Sequence, residues 1–75
     1  MRDEKPLDDA TPRLRVEDIR EVCARTNLAR TSIYQLVKAG EFPKPILLTR
    51  ARAGRRGWIT HEVDAWIEAR MAERE

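Results

Sequence analysis

The 75-residue sequence has few of the residues that several common kinds of site require. It contains one cysteine, Cys23, and one histidine, His61, which excludes an intramolecular disulfide and a zinc site with four such ligands. No run approaches the roughly 18 apolar residues of a membrane-spanning helix, and the charged first residues do not resemble a signal peptide. We expect a soluble cytoplasmic protein that contacts no membrane and binds no metal or other cofactor.

The short chain also argues against catalysis. A domain of this size buries only roughly 60% of the surface that its unfolded chain exposes, so a solvent-excluded catalytic cavity is difficult to build. Cys23 and His61 lie in different predicted elements, and no pairing motif joins them. We therefore expect that the protein is not an enzyme, and that Cys23, Trp58 and Trp66 belong to the core.

Charge is unevenly distributed along the sequence. The formal net charge is only +2, but residues 14–57 carry ten basic and four acidic side chains, whereas residues 58–75 carry two basic and five acidic ones. A basic middle segment is typical of proteins that bind a polyanion such as nucleic acid. A solvated charged surface has the same composition, so charge alone leaves both interpretations open.

The sequence predicts one ordered domain over residues 14–72. Residues 1–13 have alternating charges and two prolines, which is typical of a disordered leader, and residues 73–75 are expected to fray. Leu14 and Val16 flank a charged residue, as in a short strand or an extended entry segment.

Two short helices joined by a tight turn follow. Asp18 and Glu21 have the spacing of a capping box, and apolar residues on one face predict a first helix over residues 19–25. Asn27 tolerates the left-handed conformation that ends a helix, and a second helix is predicted over residues 30–39, with a glycine after its end. This spacing is typical of a helix-turn-helix.

The remaining residues predict a β-hairpin and a third helix. Residues 46–48 and 58–59 have the pattern of two strands, and the tip between them, residues 49–57, is rich in arginine and glycine. Thr60 is expected to cap the last helix, which should end near Ala72. Its predicted buried face consists of Val63, Trp66 and Ile67. The predicted fold is mainly α with a small β-hairpin: a winged helix-turn-helix of three helices and a two-stranded wing.

The second predicted helix carries the residue types that read DNA. When Ile33, Leu36 and Val37 face the core, the opposite face is polar, and residues 30–40 contain no acidic side chain. Glutamine pairs with adenine and arginine with guanine, while hydroxyl and lysine side chains suit bases or phosphates. The candidate DNA-binding residues of this helix are Arg30, Thr31, Ser32, Tyr34, Gln35 and Lys38.

The hairpin tip is the second candidate site. Four arginines within residues 50–56 cannot all be buried, and a basic wing on the DNA backbone or in the minor groove would explain them. A loop that only increases solubility is the alternative. The candidate DNA-binding residues of the wing are Lys44, Arg50, Arg52, Arg55 and Arg56.

Five parts of the sequence form a specific combination. They are Val-Cys-Ala-Arg-Thr-Asn-Leu at 22–28, Ser-Ile-Tyr at 32–34, Gly-Glu-Phe-Pro-Lys-Pro at 40–45, Trp58, and Glu-Val-Asp-Ala-Trp-Ile at 62–67. Together they resemble the AlpA-like prophage regulators, small winged-helix proteins related to phage excisionases and to the DNA-binding domain of MerR. The resemblance covers about residues 14–71.

This resemblance implies a DNA-binding transcriptional regulator of a prophage or mobile element, located in the bacterial cytoplasm and associated with the nucleoid when bound. Some members also act as excision factors that bend DNA for an integrase. By the same resemblance, residues 30–38 would be the recognition helix in the major groove, Tyr34 a contact to the DNA backbone, and residues 44–56 the wing.

The sequence departs from the family pattern at three places. Asn27 replaces the usual glycine, and Ala29 replaces the usual serine that caps the recognition helix. Thr31 is an alternative cap, which would begin the helix two residues later. The wing tip is also a few residues longer than in the family.

Double-stranded DNA is therefore the expected partner, with RNA polymerase or an integrase as further candidates. The sequence leaves open whether the protein is a transcriptional regulator or an excision factor. A protein-interaction module that docks through its acidic last helix is the alternative from another class. No heptad repeat is present, and we expect a monomer or weak self-association on adjacent DNA sites.

Overall fold

The computed structural model describes residues 14–74 as three helices and three short strands. The strands are β1 (Val16–Glu17), β2 (Ile46–Leu47) and β3 (Arg56–Ile59), and the helices are α1 (Ile19–Thr26), α2 (Arg30–Lys38) and α3 (Thr60–Ala72). The predicted fold class, mainly α with a β-hairpin wing, is confirmed. The predicted leader, residues 1–13, lies outside the described residues.

The sheet contains one strand more than the predicted hairpin. Its order is β1-β3-β2, and both pairings are antiparallel, with Val16 opposite Ile59 and Ile46 opposite Gly57. Strand β3 is therefore central, and it also begins at Arg56, two residues before the predicted return strand. Gly57 is buried between the flanking strands, where the absence of a side chain allows their close approach.

Helix α1 begins at the predicted residue and ends one residue later than predicted, at Thr26. The Asp18 carboxylate accepts a bond from the Glu21 backbone N–H at 2.9 Å, and the Asp18 N–H donates to the Glu21 carboxylate at 2.8 Å. This reciprocal pair is a capping box, and it satisfies two donors that a helix start leaves unpaired. At the other end Asn27 adopts φ 62°, the left-handed conformation that directs the chain into the turn.

Helix α2 begins at Arg30 without a side-chain cap. Ala29 is the N-cap residue, its backbone is extended, and it makes no side-chain bond to the first turn. The alternative start with Thr31 as the cap is therefore wrong. Gly40, at φ 78°, follows the helix end, and the Glu41 N–H donates to the Leu36 carbonyl at 2.8 Å, the bond that closes a left-handed helix terminus.

The missing cap gives a prediction about stability. Ala29→Ser is expected to raise the free energy of unfolding by about 1 kcal/mol, because a serine hydroxyl accepts a bond from an unpaired N–H of the first turn. Thermal denaturation followed by circular dichroism should then show Tm higher by roughly 4–8 °C. Ala29→Val, which cannot cap, is the control, and an equal gain in both variants would contradict the explanation.

Helix α3 begins differently from the prediction. Thr60 is its first helical residue, and Ile59 occupies the N-cap position without a side-chain bond, so the prediction of Thr60 as a cap is wrong. The reason lies in the sheet: the Thr60 N–H donates to the Arg15 carbonyl at 2.8 Å, which extends the pairing of β3 with β1 into the helix start. No loop therefore separates β3 from α3.

The predicted apolar faces meet in one small core. Its buried members are Val22, Ile33, Phe42, Trp58 and Val63. Leu36, Val37 and Cys23 are partly buried against them, as are Trp66 and Ile67. The tryptophans also fix the connection between α2 and β2.

Two indole hydrogen bonds hold that connection. Trp58 Nε1 donates to the Pro43 carbonyl at 2.7 Å, and Trp66 Nε1 donates to the Glu41 carbonyl at 2.8 Å. The Phe42 ring lies edge-on to Trp66, with ring centroids 4.8 Å apart. The proline-rich segment is thereby attached to both β3 and α3, which sets the position of the wing relative to the helices.

Arg25 links three elements that are distant in sequence. Its Nη2 lies 2.7 Å from Oε2 of Glu17 on β1, and its Nη1 lies 2.7 Å from Oδ1 of Asp64 on α3. The hydrogen bond to Glu17 raises the pKa of the Arg25 guanidinium above its usual value, and the hydrogen bond to Asp64 adds a smaller rise. The Asp64 carboxylate is therefore bonded within the fold, although its side chain is 46% exposed.

Candidate nucleic-acid interface

The exposed side of α2 is polar and basic. Ile33 is fully buried, and the helical period then directs Thr31, Gln35 and Lys38 toward solvent. Arg30 is also exposed, Ser32 is half-buried, and no acidic residue lies in the first turn. All six residues predicted for this helix are therefore at the surface or its margin, on a helix whose other side is fixed to the core.

Tyr34 connects this helix to the wing. Its side chain is 44% exposed, and its ring centroid lies 6.0 Å from that of the buried Trp58 on β3. The Tyr34 ring thus lies beside the core and is still partly exposed to solvent. A hydroxyl held in this way is a suitable donor to a backbone phosphate.

The wing consists of β2, β3 and the tip between them. The Leu48 N–H donates to the Arg55 carbonyl at 2.7 Å, and the Arg55 N–H donates to the Thr49 hydroxyl at 3.1 Å, so the ends of the tip are joined. Arg56 lies in β3 and not in the predicted tip. The predicted basic residues Lys44, Arg50, Arg52, Arg55 and Arg56 are all exposed.

An open cleft lies between α2, the wing and the start of α1. Its lining consists of Asp18, Ile19, Arg20, Tyr34, Gly54, Arg55 and Arg56. The structure therefore brings together three of the predicted site residues, Tyr34, Arg55 and Arg56. The other predicted wing residues, Lys44, Arg50 and Arg52, do not line this cleft. The Asp18 carboxylate is bonded to the α1 start and keeps its charge, so three arginines and one aspartate give the cleft lining a net positive charge.

Arg20 belongs to this cleft, and sequence reasoning missed it. It is an exposed residue in the first turn of α1, where a cation is unfavourable next to the positive end of the helix dipole. A basic residue at such a position, next to the capping box, is a signal that could have indicated a surface role. The cleft is thus lined by three arginines, Arg20, Arg55 and Arg56, together with Tyr34.

The basic character of the middle segment is partly internal. Arg25 contributes to the excess of positive charge in residues 14–57, but its guanidinium is bonded to Glu17 and Asp64. The Glu17 side chain is only 10% exposed. This arginine therefore stabilises the fold, and the cations on the surface of α2, the wing and the start of α1 are the ones available to a polyanion.

Two kinds of feature associated with other functions are missing from the described part of the chain. No helix within residues 14–74 is long and apolar enough to cross a bilayer. The same residues contain no cluster of three or more Cys, His, Asp or Glu side chains that could hold a metal ion.

Two helices joined by a three-residue turn, with a basic hairpin beside the second helix, define a winged helix-turn-helix domain. Comparison with known protein families supports the assignment to winged helix-turn-helix domains. The family described as prophage CP4-57 regulatory protein (AlpA) matches residues 15–71, which is most of the chain. The chain belongs to the AlpA family of prophage regulatory proteins.

A phage protein is also similar to the chain. The uncharacterized protein ORF88 of Enterobacteria phage P4 is 37% identical over 71 residues, covering 92% of this chain and 74% of the phage protein. Comparison with solved structures gave no significant match.

Proposed function

We propose that the protein is a sequence-specific regulator that binds double-stranded DNA of a prophage or mobile element. In this proposal α2 enters the major groove, and the wing contacts the flanking backbone or the minor groove. The observation that carries the proposal is the cleft in which Tyr34 of α2, Arg55 and Arg56 of the wing, and Arg20 of α1 meet. Membership of a prophage regulatory family supports it.

The two parts of the interface are assigned different tasks. Thr31, Gln35 and the flanking Arg30 or Ser32 present groups that can bond to base edges, so α2 would provide sequence preference. The wing arginines and Arg20 present charges that neutralise phosphates, which adds affinity without sequence preference. Regulation follows when bound protein changes the access of other proteins to a promoter, and no catalytic step is needed.

Gel-shift titrations over a salt series test the proposal. Each neutralised phosphate releases condensed counterions, so log affinity should fall linearly with log salt concentration, with a slope steeper than about −2 for several phosphate contacts. The probe is a duplex from the upstream region of the host element, and an unrelated duplex of equal length is the control. A shallower slope, or equal affinity for both duplexes, would contradict sequence-specific DNA binding.

Two substitutions separate the tasks of helix and wing. Gln35→Ala is expected to relax sequence preference, because a base contact is lost. The difference in binding free energy between the preferred base and other bases at one position should fall by about 1–3 kcal/mol. Arg55→Ala is expected to weaken binding to all duplexes alike and to make the salt slope shallower by about 1, because one phosphate contact is lost. Identical behaviour of the two variants would contradict this assignment.

An excision factor would use the same contacts to DNA. Recombination in vitro with the integrase of the same element separates this role from regulation of transcription. Stimulated excision would identify a recombination factor, whereas a footprint over a promoter with altered transcription and no effect on excision would identify a transcriptional regulator.

A further inference from the structure

A second concave surface lies on the domain, apart from the cleft of the candidate DNA interface. This surface, here called the α3 groove, lies between the turn after α1 and the last turns of α3. Its apolar lining consists of Leu28, Trp66, Ile67 and Met71. It shares no lining residue with the cleft around Tyr34.

The floor of the α3 groove is apolar but accessible. Leu28 and Ile67 are partly buried against the core, whereas Met71 is 52% exposed. Ile67 and Met71 are four positions apart on α3, so they lie on one face of the helix as a continuous stripe. An unbranched methionine adapts to partners of different shapes, and it is used for this reason on protein-binding surfaces.

The polar margin of the groove is basic. Arg25, Arg70 and Arg74 line it, and within the described residues 14–74 no carboxylate belongs to its lining. Arg25 is bonded to Glu17 and Asp64, so Arg70 and Arg74 supply the charge that a partner would meet. Arg70 forms a surface pair with Glu73 at 2.9 Å, and exposed pairs of this kind contribute little, so an incoming carboxylate can replace it.

The groove chemistry favours a protein segment over nucleic acid. A phosphate backbone has no apolar group to fill the space beside Ile67 and Met71. Base stacking on Trp66 is obstructed, because its ring meets the edge of Phe42 and lies 5.9 Å from the Arg70 guanidinium. An apolar stripe beside two arginines is complementary to a peptide that carries an apolar anchor and nearby carboxylates.

We propose that the α3 groove is a docking site for an acidic segment of a partner protein, anchored by an apolar side chain between Leu28, Ile67 and Met71, with carboxylates on Arg70 and Arg74. The proposed partner segment is acidic, whereas docking through the acidic residues of α3 would require a basic partner. A regulator bound to DNA through the cleft would present this groove to a second protein. The inference does not depend on which DNA sequence is bound.

Selection from a random library tests the docking site. Phage-displayed 12-residue peptides are selected on the full chain, with counter-selection on the support without protein. We expect enriched peptides to have net negative charge and at least one large apolar residue. Fluorescence anisotropy of such a peptide should show affinity lower by at least about tenfold for Met71→Glu and for Arg74→Glu, because each change places a carboxylate against the peptide. Both positions are exposed, so the variants should remain folded.

Three controls decide the interpretation. Glu62→Gln changes an exposed α3 residue outside the groove lining, and it should leave peptide affinity within about twofold because exposed charges are screened. Enriched peptides without net negative charge, or with equal affinity for Met71→Glu, would overturn the proposal. A loss of DNA affinity in Met71→Glu or Arg74→Glu would assign the groove to the DNA interface instead.

Residues 3–9 of the chain form an acidic segment that contains one apolar side chain, Leu7. Deletion of residues 1–12 tests whether this segment fills the groove. If the NMR shifts of the Met71 methyl group are unchanged by the deletion, an external partner is supported. If the deletion changes these shifts, residues 1–12 contact the groove, and the proposal of an external partner is overturned. Gel shifts on the same proteins report DNA binding separately, so failure of either proposal can be distinguished.

Discussion

Gly57→Ala is expected to lower the free energy of unfolding by about 2 kcal/mol, since inserting a methyl group into a closely packed site typically costs about 1–3 kcal/mol. A Cβ at this position would contact Val16 Cγ1 too closely, and it would lie 3.1 Å from the Glu17 carbonyl oxygen and 3.2 Å from Leu48 Cδ1. These atoms belong to β1 and to the residue after β2, so the methyl group separates the strands on both sides of β3. Thermal denaturation should show Tm lower by roughly 10 °C.

Removal of the obstructing atom provides a control for this prediction. Val16 is 43% exposed, so Val16→Ala alone should change stability little. In the double variant the contact with Val16 is relieved, and the combined loss should be smaller than the sum of the two single losses. If the losses in the free energy of unfolding are additive, the contact with Val16 is not the cause of the Gly57→Ala effect, and the explanation is contradicted.

The second large effect is expected for Arg25→Met. Without the guanidinium, Glu17 is left as a nearly buried carboxylate with no cation beside it. Removing one partner of a buried pair costs about 3–5 kcal/mol. Because the Arg25 side chain is 35% exposed, we expect a smaller loss here, about 2–3 kcal/mol in the free energy of unfolding. Urea denaturation of the purified variants measures this loss.

Two further variants test the cause of that loss. Glu17→Gln combined with Arg25→Met removes the uncompensated carboxylate, so the double variant should be more stable than Arg25→Met alone. Arg20→Met removes an exposed arginine from the same helix, and it should leave stability nearly unchanged while lowering DNA affinity. Equal stability of Arg20→Met and Arg25→Met would contradict the division between a cation of the interface and a cation of the fold.

This pair of arginines illustrates what the sequence did not reveal. Both lie on α1, and both count equally toward the basic middle segment. Their roles differ because Glu17 and Asp64 meet Arg25 across separations of eight and 39 residues, whereas Arg20 lies at the cleft. No local pattern encodes such contacts, so the candidate site could be predicted for α2 and the wing but not for the start of α1.

The sheet and the start of α3 provide a second case. Two short apolar runs around a tip that contains arginine and glycine predict the hairpin of β2 and β3, but they do not predict the pairing of β1 with β3. That pairing also supplies the Arg15 carbonyl to the Thr60 N–H, which is why Thr60 does not act as a side-chain cap. A short strand of two residues carries too little pattern to indicate its partner.

The sequence by itself determined the local elements of this protein. The capping box of Asp18 and Glu21, the left-handed residues Asn27 and Gly40, and the apolar period around Ile33 act over a few residues, so they specify helices, turns and the polar face of α2 wherever the rest of the chain lies. Only the tertiary structure decided which charges are bonded within the fold and which remain at the surface. Ion pairing depends on distances between atoms, and folding sets those distances for residues far apart in sequence.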